Sequence, residues 1–372
     1  MASPTSLLLV AALLPLTSAP HQLQDLHPRE RLFCASANAG ALGELLDIRG
    51  GPPWNVQSVG LTDGGRRLRR FGRQLYVVHT TGSTISRFAP GVGQQVYDLG
   101  HGSEPQDILD PAPAASFAPL AFVTRRENPN LHRLNLVTGV GVDVLDLSPV
   151  GGGDPIALGT MARDGNRLFV QVRVFRGKSE AEEMDAGVLA VVDLPSLSLV
   201  DVEPLTPGVQ GVALQGAPPH LKMQVVQETR TLFVSTTDGI LDNRGGIEMV
   251  DLDGLTSVGY ALSEAQSADL GGFVMITPTT GYFVFHTDLL ASTHLKRFTI
   301  AGGPDPGPEI IVLLGAVVDV LEYDPRLDRI FLPTGDAGGP QGIYVFDAIT
   351  KQQIGPGPIA TPMRPHDLVV AR

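Results

Sequence analysis

An apolar–aromatic–apolar triplet recurs seven times along the chain. After each, a polar stretch leads to a second, alternating strand. The triplets begin Leu32-Phe33-Cys34, Leu75-Tyr76-Val77, Ala121-Phe122-Val123, Leu168-Phe169-Val170, Leu232-Phe233-Val234, Tyr282-Phe283-Val284 and Ile330-Phe331-Leu332. Their partners run through Leu45-Leu46, Ile85 to Phe88, Leu131 to Leu134, Leu189 to Asp193, Ile247 to Asp251, Leu295 to Phe298 and Ile343 to Asp347. Successive triplets start 43, 46, 47, 64, 50 and 48 residues apart. That period is the size of one four-stranded propeller blade, and period-2 alternation is the signature of strands whose two faces differ. The long spacing carries a charged insertion, Arg176 to Gly187. No 3.6-residue apolar period follows the leader. Asp47, Asp193, Asp251 and Asp347 close the second strands, where a carboxylate can bond the backbone N–H groups of the turn just beyond.

Calling these two strands the second and third of each blade, counted from the axis, an outer strand follows (Gln95-Val96-Tyr97 and Val144-Leu145 are examples) and an innermost strand precedes. The innermost strands are read as Leu368 to Val370 for the first blade, then Val56 to Leu61, Ile108-Leu109, Ile156 to Met161, Met223 to Val226, Phe273 to Ile276 and Val317 to Leu321. The strand at Leu32 lacks an innermost partner before it, and Leu368 to Val370 has no triplet after it. The two gaps fit each other. The chain is expected to be all-β, a seven-bladed β-propeller of four-stranded antiparallel blades, closed by the C-terminal strand pairing into the first blade. Such closure removes exposed sheet edges.

The segment Leu75-Tyr76-Val77-Val78-His79-Thr80-Thr81-Gly82-Ser83-Thr84-Ile85-Ser86-Arg87-Phe88 resembles the YVTN repeat of surface-layer-type and YncE-like propellers, with Val78-His79 where that family usually has Thr-Asn. Gly102-Ser103-Glu104-Pro105-Gln106-Asp107-Ile108 and Pro365-His366-Asp367-Leu368 are similar to the opening of its innermost strand. The resemblance spans about Arg31 to Arg372 and implies an exported, WD40-like scaffold without implying a chemistry. A more distant likeness to seven-bladed lactonases rests on blade count alone.

Composition sharpens the picture in three places. The net charge of −12 argues against nucleic acid and anionic membranes as partners, since both call for a basic surface. The one cysteine, Cys34, excludes an internal disulfide and reads as a small buried hydrophobe. Leu7 to Leu16, followed by Thr17-Ser18-Ala19, reads as a signal peptide over residues 1–20, too short to span a bilayer. It gives a periplasmic or extracellular protein with a single propeller domain at 21–372.

Aligning the openings of the innermost strands places Asp367, Asn55, Asp107 and Asp319 in one column on four adjacent blades, with His366, Trp54 and Gln106 just before three of them and His220 near the fifth blade's position. These eight residues are the candidate ligand contacts. Clustered carboxylates repel one another unless a cation joins them, so Asn55, Asp107, Asp319 and Asp367 are candidate oxygen ligands for Ca²⁺ or Mg²⁺. The plainer alternative is that each Asp caps its own strand and bonds N–H groups of the next blade. His286, Asp288 and His294, with His79 and His132, are read as loop histidines, too widely spaced for a recognisable metal motif. Asp238 to Asn243 only loosely echoes a calcium loop. The basic run Arg66, Arg67, Arg69, Arg70 and Arg73 is read as a solvated loop on the opposite face.

No G-x-S-x-G elbow, P-loop, dinucleotide fingerprint or H-E-x-x-H occurs. The expectation is a monomeric binding scaffold presenting a loop face and axial pocket to a protein, glycan or small molecule. The alternative is a metal-dependent, lactonase-like hydrolase or lyase. A redox subunit with a partner-borne cofactor has no support in the residues.

Overall fold

The computed structural model describes residues 31–36, 41–46, 48, 54–61, 65, 67–89, 93–110, 119–175, 187–216, 222–236, 245–287, 292–314, 318–334, 341–361 and 364–371. The leader at 1–20, the insertion at 176–186, the loop at 238–243, and Asp47, Arg66, His220 and Asp288 lie outside the described residues.

Seven antiparallel sheets form a ring. Five have four strands, and in the fourth and sixth blades the outer position is shared by two short strands. The aromatic of each triplet explains the repeat: Phe33, Tyr76, Phe122, Phe169, Phe233, Phe283 and Phe331 are all fully buried. Both faces of a blade press on neighbouring blades, so these second strands are buried along their whole length, as in Leu75 to His79 and Ala121 to Arg125. Apolar clusters accordingly sit between blades. One joins Phe122 and Leu131 of the third blade to Leu158, Leu168, Val170 and Val192 of the fourth.

Ring closure is as read from the repeat. Asp367–Ala371 pairs antiparallel with Arg31–Ala35, with Leu32 opposite Val370 and Cys34 opposite Leu368. Leu368 and Val370 pack with Leu32, Phe331, Ile343 and Val345, which fastens the first blade to the seventh. Cys34 is buried in that cluster, and burial pushes its thiol up to about 12, so it behaves as the small hydrophobe expected. Asp193, Asp251 and Asp347 accept bonds from the backbone of their following turns.

Five innermost strands fall where the pattern put them; two do not. Asn55–Gly60 pairs only with Ala41–Leu46 and is the outermost strand of the first blade. The innermost strand of the second blade is Arg67–Phe71, the basic run itself. In the seventh blade the innermost strand is the short Glu322–Asp324, beginning just after the segment the sequence suggested. No helix among the described residues is long and apolar enough to cross a membrane.

Ion pairs tie blades together near their rims. Asp164, at the end of the fourth blade's inner strand, takes both Nη groups of Arg230 from the fifth, each at 2.7 Å. Asp305 of the sixth blade is bonded by Arg297 Nε at 2.9 Å and by Lys351 of the seventh. Hydrogen bonds from Arg230 hold the Asp164 carboxyl below the ordinary range. At Asp305 burial pushes up, but Lys351 and Arg297 outweigh it and the net direction is also down. A carboxyl lowered in the folded state stabilises the fold above its unfolded value of about 3.9, and that stability is lost as pH falls through the lower folded value. The urea midpoint is therefore expected to drop below about pH 4, and in Asp164→Asn/Asp305→Asn the drop is expected to be shallower. An equal acid slope in both proteins would contradict this assignment.

Candidate functional site

The innermost strands enclose an axial cavity of about 740 Å³. Its walls come from six blades: Arg67 to Phe71 and Thr80 from the second, Gln106 from the third, Lys222, Gln224 to Val226 and Glu228 from the fifth, Val274 to Pro278 from the sixth, Asp319, Val320, Glu322, Tyr323 and Pro325 from the seventh and His366 to Val369 from the first. The volume lies within the range of small-molecule pockets.

Its character changes along the axis. Where the inner strands begin, the wall carries Arg67, Gln106, Lys222, Asp319, His366 and Asp367; where they end it is mainly apolar, with Phe71, Val226, Ile276, Pro278, Tyr323 and Pro325, and also carries Glu228 and Thr277.

Asp107 is tightly held. It is fully buried, accepts Arg69 Nε at 2.7 Å on Oδ1 and Arg69 Nη2 on Oδ2, and takes the N–H of Ile108 (2.9 Å) and of Met161 in the fourth blade (2.7 Å). Four bonds occupy the acceptor capacity of a carboxylate. Arg69 Nη2 continues to the carbonyl of Met161, so one side chain links three blades. Burial pulls the Arg69 guanidinium down, and the facing Asp107 more than reverses this. Asp367 repeats half of the arrangement, accepting Leu368 N–H (2.9 Å) and Leu68 N–H of the second blade (2.7 Å). The capping alternative is therefore the one seen at Asp107 and Asp367: each bonds its own strand and the next blade.

Asp319 is 35% exposed and faces the cavity, with Oδ1 bonded at 3.1 Å to Nε2 of the buried His286; His286 Nδ1 meets Thr293 Oγ1 at 3.1 Å. The backbone approach behind this pair is close. A Cβ on Gly272 of the sixth blade would stand 2.3 Å from the Asp319 carbonyl oxygen, so only glycine fits there. Across the cavity Lys222 Nζ reaches the Leu321 carbonyl (2.8 Å) and Glu322 Oε2 (3.3 Å).

Of the eight candidate contacts, the cavity brings together Gln106, Asp319, His366 and Asp367. Asp107 lies behind the wall rather than on it. Trp54 packs on the apolar cluster between the first and seventh blades. Asn55 opens an outer strand, which takes it out of the column of inner-strand positions. Among the described residues, no group of three or more His, Cys, Asp or Glu side chains is placed to share a metal ion. Three of the histidines read as loop residues are buried in strands with local partners: His79 on Ser86, His132 on Asp143 and His286 on Asp319. His294 lies on a strand too, stacked on Phe285.

What sequence reasoning missed is the cationic wall, Arg67, Arg69 and Arg70, together with Lys222 and Glu322. The available signal was alternation around Leu68 within the arginine run, four residues before the turn at Gly72 that leads into the Leu75 strand.

No protein-family model matches the chain, and no curated protein matches it in sequence. Among solved structures it is similar to a candidate 6-phosphogluconolactonase from Bacteroides uniformis, with TM-score 0.59 and 11% identity over 92% of this chain and 99% of that one. It is also similar to a protein from Lactobacillus plantarum (TM-score 0.56, 12% identity, 92% and 99% covered) and to hydrazine synthase from Kuenenia stuttgartiensis (TM-score 0.54, 10% identity, 81% and 92% covered). Proteins named for unrelated chemistry share the architecture at such low identity that the likeness establishes the propeller fold and nothing of the activity.

Proposed function

We propose that the chain is an exported binding propeller, a scaffold that holds a small polar ligand in its axial cavity and works without catalysing a reaction. One observation carries this reading: a cavity of about 740 Å³ built by the inner strands of six blades, with charged side chains concentrated at one end and a mainly apolar wall that also carries Glu228 at the other. Pockets of this size with a few converging polar groups are the usual form of small-molecule sites. The YVTN-like repeat and the apolar leader support export to the periplasm or beyond, and the net charge of −12 weighs against nucleic acid as the partner. The metal-dependent hydrolase reading draws no support from Asp107, whose acceptor sites are occupied by Arg69 and two backbone N–H groups.

The test is a thermal-shift screen of sugars, amino acids, organic acids and amines against the native chain and a plugged variant, Gln106→Trp. A ligand at 100 times its Kd stabilises by about 2.7 kcal/mol. At least one chemical class should raise the melting temperature of the native chain and leave the plugged variant unmoved. No shift with any class, or equal shifts in both proteins, would overturn the proposal.

A further inference from the structure

The charged groups on the cavity wall are matched inside the protein. Arg69 is held by Asp107, and Lys222 by Glu322 and the Leu321 carbonyl. Asp319 takes His286, and Asp367 takes two backbone N–H groups. Arg67 lies in the field of Asp107 and Asp367, and it, Arg70 and His366 all have interactions of their own. The remaining carboxylate, Glu228, is exposed at the far end, where water screens it.

An ion entering such a cavity gives up its hydration and finds the counter-charges taken, which is costly. A neutral hydroxyl gives up far less, and it both donates and accepts. The wall holds both kinds of partner for it. Asp319 uses Oδ1 on His286, and Gln106 uses Nε2 on the Glu104 carbonyl. Among the described residues this leaves Asp319 Oδ2 and Gln106 Oε1 as acceptors on side chains that line the cavity. Arg69 bonds Asp107 and Met161 through Nε and Nη2, so Nη1 remains a donor although the charge is balanced. Toward the far end Phe71, Ile276 and Tyr323 offer apolar surface, on which the C–H face of a sugar ring would shed water.

We propose that the axial cavity selects a neutral polyhydroxy ligand, a sugar or cyclitol. Its hydroxyl groups bond Asp319, Gln106 and Arg69, and its C–H face lies on the apolar wall. The assignment rests on the cavity being a ligand site. The internal balance of charge sets the preference for a ligand without net charge.

The experiment is calorimetric titration of the full chain with glucose, maltose and myo-inositol. Glucuronate, glucosamine in its ammonium form and cyclohexanol are the counterparts. At least one neutral polyol should bind about tenfold or more tighter than all three counterparts, since a hydrogen bond to a charged group is worth that much. That binding should vanish in the plugged variant, Gln106→Trp. Asp319→Ala should cost the polyol about tenfold in affinity. Glu322→Gln takes the counter-charge from Lys222, so glucuronate should gain about tenfold relative to the polyol. A purely structural role for Glu322 would not move that ratio. If a variant does not fold, the comparison on the native chain decides alone. Binding of glucuronate, glucosamine or cyclohexanol as tight as that of the polyols would overturn the assignment and leave the cavity reading standing. Unchanged polyol affinity in Asp319→Ala, an unmoved ratio in Glu322→Gln, or polyol binding that survives the plug would overturn it as well. Failure of every probe would overturn it too, and the wider screen against the plugged variant then shows separately whether the cavity binds anything.

Discussion

Asp107→Ala is expected to destabilise the propeller by about 4 kcal/mol, a larger effect than removing the other strand-opening acid, Asp367. The fully buried carboxylate holds Arg69 in two places and takes N–H groups from two blades. Removing it strands the Met161 N–H inside the structure and leaves a guanidinium without its counter-charge, and breaking a buried ion pair from one side is strongly destabilising. The loss stays near the middle of that range because Arg69 is 27% exposed and can turn toward cavity water. Asp367→Ala removes only an acceptor for two N–H groups, so about 1–2 kcal/mol is expected. Guanidinium unfolding of the two variants measures both. Equal losses would mean that Arg69 does not depend on Asp107.

Ending the chain at Pro365 is expected to abolish folding of the monomer. The deletion removes the innermost strand of the first blade, with its five-residue pairing to Arg31–Ala35. It also takes Leu368 and Val370 from the contact with the seventh blade, Val369 from the contact with the second, and the Asp367 bond to Leu68. The exposed edge left on Arg31–Ala35 invites association between copies. Circular dichroism and size-exclusion chromatography should show a chain that is unfolded or aggregated. A soluble monomer with the native spectrum and melting temperature would contradict closure by this strand.

Closure was legible because it needed only counting: a blade lacking one strand at the start and a strand lacking a blade at the end. The second and third strands were legible because both faces of each are buried against neighbouring blades, so Leu75-Tyr76-Val77 or Ile330-Phe331-Leu332 is apolar at every position. The innermost strand obeys a different rule. Its edge borders the cavity and its side chains can be satisfied by charge pairs, so Arg67-Leu68-Arg69-Arg70-Phe71 hides a strand behind the composition of a loop. Leu68, packed with Leu75 and Val77, and Phe71, against Tyr76, keep the apolar signature. Asn55–Gly60 has the alternation expected of a strand and is one, but alternation does not say which edge of a sheet a strand occupies. That one exchange removed Asn55 and Trp54 from the candidate site and brought in three arginines. Asp107 and Asp367 could be read from the sequence as strand-opening acids. That their partners are backbone N–H groups and, for Asp107, Arg69 depended on which strand stands next to them across the blade boundary.

The most direct check on the arginine strand is thiol labelling, for which Cys34 gives a silent background because it is buried and its thiol is pushed up to about 12. Cysteines placed singly at Arg70, on the cavity wall, and at Ser58, exposed on the outer strand, should part company: both react with a small methanethiosulfonate, and only the Ser58→Cys protein reacts with a bulky polyethylene-glycol maleimide. Rapid reaction of Arg70→Cys with the bulky reagent, alongside shielding of Ser58→Cys, would put residues 67–71 outside the ring and contradict the account.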